Sequence, residues 1–104
     1  MRICRLDDIV PGTGVAALVG AEQVAVFRID QEVYAIGNRD PFSGANVLSR
    51  GIVGDLKGEL VVASPVYKQH FSLATGQCLE DAAVRVAVFS VRVDGERVSV
   101  TVTA

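Results

Sequence analysis

Two short stretches gather the side chains whose types and spacing allow chemistry: Asn38-Arg39-Asp40-Pro41 and Ser64-Pro65-Val66-Tyr67-Lys68-Gln69-His70-Phe71. An amide and a carboxylate two residues apart can offer oxygens to a hard cation. The same pair also builds an Asx turn that stabilises a loop, which is the simpler outcome. Ser64 as a nucleophile requires a base and a group to orient it, and no histidine-carboxylate pair stands at a spacing that would supply them. Tyr67 offers a redox-active phenol or, more simply, bulk for packing. His70 is the single histidine, and beside an aromatic strand its ordinary role is hydrogen bonding. Cys4 and Cys78 are the only cysteines, so thiolate and imidazole ligands for a soft metal centre are scarce in one copy of the chain. No glycine-rich nucleotide fingerprint, P-loop or cysteine-rich motif is present, so the residues themselves offer no site for a nucleotide or cluster cofactor.

The elements that must position these residues belong to one domain of 104 residues. That length buries roughly two-thirds of the unfolded surface in a single core. Half the residues are apolar and 21% are charged, the composition of a packed globular protein. A formal net charge of −2, with no lysine- and arginine-rich run, excludes nucleic acid as the natural partner. No segment approaches the ~20 apolar residues of a membrane span, and no basic start leads into an apolar run. A cytoplasmic protein with reduced cysteines and no Cys4–Cys78 disulfide is the expectation.

The hydrophobic pattern is that of strands throughout. Arg2 to Leu6 alternates, Asp7 to Gly14 forms a loop, and Val15 to Val19 supplies a second strand. Gln23 to Ile29 and Glu32 to Ile36 are joined by Asp30-Gln31 as a hairpin. Gly37 to Gly58 is expected to be a long loop, with residues 45–53 folded against the body. Glu59 to Ala63 reads as a buried strand that feeds Ser64. Phe71-Ser72-Leu73 and Gln77-Cys78-Leu79 flank a turn in which Gly76 takes the left-handed position. Val84 to Val93 and Arg97 to Val102 alternate around Asp94-Gly95-Glu96, the strongest hairpin signal in the chain. No 3.6-residue period is sustained, so an all-β barrel or sandwich of short antiparallel strands is expected.

On these residues the chain resembles a Rieske domain. Its two loops have the form of the cluster-binding loops, one Cys-x-His and the other Cys-Pro-x-His, followed by an aromatic strand and a Thr-Gly turn. More specifically, it is similar to the Rieske-like small subunits of cytoplasmic NAD(P)H-dependent nitrite reductases, which lack the ligands. Val47-Leu48-Ser49-Arg50-Gly51 and Ala63-Ser64-Pro65 carry that likeness most specifically, as does the long interval from Asp40 to Ser64. Gly14 to Leu18, Glu22 to Arg28, Asp40-Pro41-Phe42, Gly58 to Val62 and Cys78-Leu79-Glu80-Asp81 extend it over most of the chain.

The resemblance implies a Rieske-like fold over residues 1–104 with a vestigial cluster subdomain at about 37–80. Asn38, Asp40, Ser64 and Tyr67 stand at the four ligand places, where thiolates and imidazoles are required. Tyr67 and Phe42 are expected to fill the vacated space. The implied role is an accessory subunit, without catalysis or cofactor of its own, that serves a large subunit carrying FAD, an iron-sulfur cluster and siroheme for the reduction of nitrite to ammonium. Arg39, Arg50, Lys68 and His70 would sit near the loop tip and dock that partner. The alternative is a Rieske-ferredoxin-type electron carrier for an oxygenase.

Overall fold

The computed structural model describes residues 2–102, so the outermost residues of the domain expected over 1–104 lie outside the described ones. Among the described residues nine strands run in the order β1 (Arg2–Arg5), β2 (Thr13–Val19), β3 (Glu22–Ile29), β4 (Glu32–Gly37), β5 (Ile52–Leu56), β6 (Glu59–Ala63), β7 (His70–Ser72), β8 (Val88–Asp94) and β9 (Arg97–Val102). Two 3-10 turns, Leu6–Asp8 and Leu48–Arg50, interrupt them. Six strands form one antiparallel sheet in the order β1-β9-β8-β4-β3-β2, and β5-β6-β7 form a second. The larger sheet curls into a nearly closed barrel, as the all-β expectation requires.

β3 explains how the two sheets join. Val24, Ala25, Val26 and Phe27 are all fully buried, although successive side chains of a strand point to opposite faces. Val24 and Val26 enter the barrel interior with Leu6, Ile9, Val98 and Val100. Ala25 and Phe27 face the other way and meet Leu48, Val62, Phe71 and Leu73 of the smaller sheet and its loops. Two cores therefore share one strand, and the small sheet is fixed to the barrel wall.

Several turns follow the sequence closely. Gly95 has φ +64° in the β8–β9 hairpin, and Asp30 has φ +55° between β3 and β4. Gly76 has φ +76°, and a Cβ there would overlap the Val86 carbonyl, so the Thr-Gly turn requires glycine twice over.

Three expectations are corrected. Residues 52–56 within the presumed loop form β5, paired with β6 from Ile52↔Ala63 to Leu56↔Glu59. Its middle, Gly54-Asp55, hides the strand period, and Lys57-Gly58, both at positive φ, make the tight turn that closes the pair. The last hairpin begins at Val88, because Val86 donates its N–H to Gly76 O at 2.9 Å instead of joining the barrel ladder. Gln77-Cys78-Leu79 makes only isolated bridges, Phe71↔Cys78 and Gln77↔Arg85.

Candidate functional site

β4 ends at Gly37 and delivers Asn38 into the wall between the two cores, where it is 1% exposed. Its amide is fully used. Oδ1 accepts the Ser49 N–H at 2.7 Å, and Nδ2 donates to Asn46 O at 3.2 Å and Gln23 Oε1 at 3.3 Å. Asp40, fully buried, makes the Asx turn: its Oδ1 accepts the Phe42 N–H at 2.8 Å. Its Oδ2 accepts the hydroxyl proton of Ser64, which is also fully buried. Ser64 Oγ in turn accepts the Val66 N–H at 3.3 Å. One charge-assisted hydrogen bond thus ties the two loops together.

Gly51 makes this closure possible, since a Cβ there would run into Ala63 O and the Val62 side chain. The turn after Ser64 is closed by Lys68 N–H donating to Ser64 O at 3.1 Å and Ser64 N–H donating to Gln69 O at 2.9 Å. Lys68 adopts φ +66°, a left-handed conformation that is uncommon outside glycine.

Tyr67 rides on this turn and is 58% exposed. The expectation that it fills the space between the loops is therefore corrected: the turn directs it outward. Phe42 does pack inward, at 6.3 Å and 50° to Phe71, a tilted arrangement favoured by aromatic pairs.

His70 lies on β7 with its Nδ1 2.6 Å from Glu80 Oε2, while its backbone N–H donates to Glu80 Oε1 at 2.7 Å. Slight burial works to raise the Glu80 carboxyl pKa, but the hydrogen bonds and charge from His70 outweigh it and hold the carboxyl below its usual value. In the sequence Glu80 stands only within the Cys78-Leu79-Glu80-Asp81 likeness and has no site role. Its position ten residues after His70 carries no local signal, because only the β7 turn brings the two together.

Arg39, Arg50 and Lys68 are all exposed, and none makes an ion pair among the described residues. Arg39 flanks Asp40, and Lys68 closes the Ser64 turn. Arg50 adjoins Gly51, which lies against Ala63. The Arg39 side chain also borders an open groove of about 650 Å3 together with Gln23, Asn46 and Arg85. Arg85, whose guanidinium donates to Thr75 O at 3.1 Å, is a cation the sequence reading passed over within its alternating strand. Cys4 and Cys78 are both free thiols, and burial together with Asp8 pushes the Cys4 thiol up.

The four positions compared with cluster ligands present an amide, a carboxylate, a hydroxyl and a phenol. Three are bound to protein partners and the fourth points outward, and none is a thiolate or imidazole. This donor set does not fit a two-iron, two-sulfur cluster. Among the described residues no group of three or more His, Cys, Asp or Glu converges as a metal site, and no helix is long and apolar enough to cross a membrane.

Residues 1–101 match the family model of the Rieske-like [2Fe-2S] domain. The chain is 54% identical over 94 residues to the nitrite reductase (NADH) small subunit of Salmonella typhimurium, covering 88% of this chain and 87% of that one. It is 43% identical over 96 residues to the nitrite reductase [NAD(P)H] large subunit of Klebsiella oxytoca, covering 92% of this chain but 10% of that one. Among solved structures, a putative NADH-dependent nitrite reductase small subunit from Mycobacterium tuberculosis superposes with a TM-score of 0.95 at 48% identity, covering 100% of this chain and 95% of that one. The ferredoxin of carbazole 1,9a-dioxygenase from Nocardioides aromaticivorans does so with a TM-score of 0.86 at 28% identity, covering 99% and 97%. The chain belongs to the Rieske-like [2Fe-2S] domain family, in its branch of nitrite reductase small subunits.

Proposed function

We infer that the chain is the accessory small subunit of an NAD(P)H-dependent nitrite reductase, and that it pairs in the cytoplasm with the large subunit that reduces nitrite to ammonium. The small-subunit relatives support the assignment. A large subunit that contains a matching stretch supports the pairing, because the same domain occurs there within one polypeptide. Residues 37–80 act as a vestigial cluster subdomain that keeps the shape of the tip without the metal. FAD, the iron-sulfur cluster and siroheme belong to the partner, and the isolated chain has no catalysis of its own.

The observation that carries the accessory reading is the bond between Ser64 and Asp40. Each uses the other as its partner where a ferredoxin needs both loops to present metal ligands. Arg39, Arg50, Lys68 and His70 are the docking residues in this reading, and the charges among them speed encounter with an acidic surface.

The ferredoxin-type alternative draws on the Nocardioides likeness, and it makes an opposite measurement. Anaerobically purified chain assayed for iron, acid-labile sulfide and visible absorption is expected to contain neither element in stoichiometric amount, and to bind the large subunit in that state. Two irons and two sulfides per chain with a Rieske spectrum would replace the accessory reading by the electron-carrier one.

A further inference from the structure

The exposed apolar side chains at the small sheet share one end of it. Ile52 pairs with Ala63 across β5 and β6, and Ala63 pairs with His70 across β6 and β7. These three residues form one row on the outer face, because directly paired residues of antiparallel strands point to the same side. The next row, Val53, Val62 and Phe71, turns inward to the core. From Ala63 the chain passes through buried Ser64 straight into Val66 and Tyr67. Ile52, Val66 and Tyr67 are 74%, 44% and 58% exposed.

Folding of the domain gains little from these side chains, yet the turn that carries two of them is closely held. Ser64 is tied to Asp40 and accepts the Val66 N–H, and Lys68 closes the turn from a left-handed conformation. A tyrosine presented on a fixed turn loses little freedom when it is covered, and tyrosine is among the residues that dominate interface energetics. Arg50 stands two residues before Ile52 and Lys68 next to Tyr67, both without an ion pair among the described residues. A second copy of this chain is a poor occupant, since a two-fold contact would bring four cations into one small interface.

We propose that Ile52, Val66 and Tyr67 form the energetic centre of the docking surface, seated in an apolar recess of the reductase large subunit whose rim bears carboxylates facing Arg50 and Lys68. This rests on the functional reading above and deepens it, assigning the lifetime of the complex to apolar side chains and only its encounter rate to the charges.

The test is binding to the purified large subunit of the same organism by biolayer interferometry across a salt series. Ile52→Ser combined with Tyr67→Ser is compared with Val10→Ser combined with Leu18→Ser, whose parent residues are 66% and 63% exposed elsewhere. The tip pair is expected to weaken binding at least about 30-fold through faster dissociation, with the salt dependence unchanged. The control pair should stay within about twofold, as expected for apolar residues outside an interface. Melting curves of both variants check that the domain remains folded. If wild-type chain binds and both pairs bind equally, or the control pair weakens it more, the apolar centre is refuted and the functional reading stands. If wild-type chain does not bind the large subunit at all, the functional reading falls and the proposal with it. Self-association of the wild type that the tip pair abolishes, measured by sedimentation, would transfer the surface to a second copy and overturn the proposal.

Discussion

Ser64→Ala tests the tie between the loops most directly. The substitution removes one oxygen from a fully buried position and leaves the backbone free to stay as it is. Two partners lose by it. Asp40 Oδ2 loses the hydroxyl donor, and the Val66 N–H loses its acceptor at 3.3 Å. A hydrogen bond to a charged group contributes about 1.5–3 kcal/mol, and stranding its buried partner places the cost in the upper part of that range. The weak, part-buried contact to Val66 adds little. A loss of about 2–3 kcal/mol should therefore lower the urea midpoint with the slope unchanged, and lower the melting temperature by roughly 8–20 °C for a domain of this size.

A double-mutant cycle separates the pair from its surroundings. Asp40→Ala removes the same bond together with the Asx turn to Phe42, so Ser64→Ala should cost much less in that background. The expected coupling is about 1–2 kcal/mol. If Ser64→Ala changes stability by less than about 0.5 kcal/mol, the range for ordinary surface changes, or if the two substitutions add, the tie does not hold the loops.

Gly76→Ala should destabilise by more than about 2 kcal/mol in urea unfolding, since it combines left-handed strain with an overlap on Val86 O. Glu80→Gln removes a carboxylate whose folded pKa is depressed, so its contribution is fully present above the unfolded value of 4.5 and is lost as pH falls through the lower folded value. The melting-temperature gap between wild type and variant should accordingly close as pH falls below the unfolded value; a gap that widens over that acid range would reverse the sign argued here. Ser64→Cys should not acquire a cluster on anaerobic reconstitution with iron and sulfide, because it supplies one thiolate of four ligands, and a Rieske spectrum from this variant would show the ligand positions to be misassigned. Arg39→Glu combined with Lys68→Glu should slow association with the large subunit, most of all at low ionic strength, whereas Arg92→Glu combined with Arg97→Glu on the β8–β9 hairpin should do much less; equal association rates would remove the charges from the docking face.

The sequence was most legible where local chemistry and tertiary pairing agree. Asp94-Gly95 between alternating runs, and the unbroken apolar run of β3, each admit one outcome, and the barrel follows from them. β5 was hidden because Gly54 and Asp55 carry no strand preference; pairing with β6 makes it a strand. Val84 to Ala87 keeps the alternation of a strand but divides its hydrogen bonds, Val86 N–H going to Gly76 O and Ala87 O to the Gly37 N–H, a choice no periodicity records. At the site, the positions of Asn38, Asp40 and Ser64 were readable from loop form, whereas the bond joining Asp40 to Ser64 spans 24 residues and emerges only when the sheets meet. Tyr67 is exposed on a turn in which Lys68 is left-handed, and lysine gives no warning of that conformation. Arg28 was equally silent. Its guanidinium lies buried beneath the first 3-10 turn and donates to Leu6 O and Ile9 O, both at 3.1 Å.

The ladder that closes the barrel also decides where a covalent tether would leave it. Val102 pairs with Phe89, and Phe89 pairs with Ala35, two residues before β4 runs out at Gly37 into the Asn38 loop. A linker continuing from β9 therefore starts from the loop-bearing end of the barrel and crosses no width of the domain to reach a body facing the tip. At roughly 3.3 Å per extended residue, a few residues suffice for a first contact. In a longer polypeptide this geometry would hold the tip at an effective concentration on the order of millimolar toward its neighbour, so that even a weakly adhesive loop surface would remain engaged.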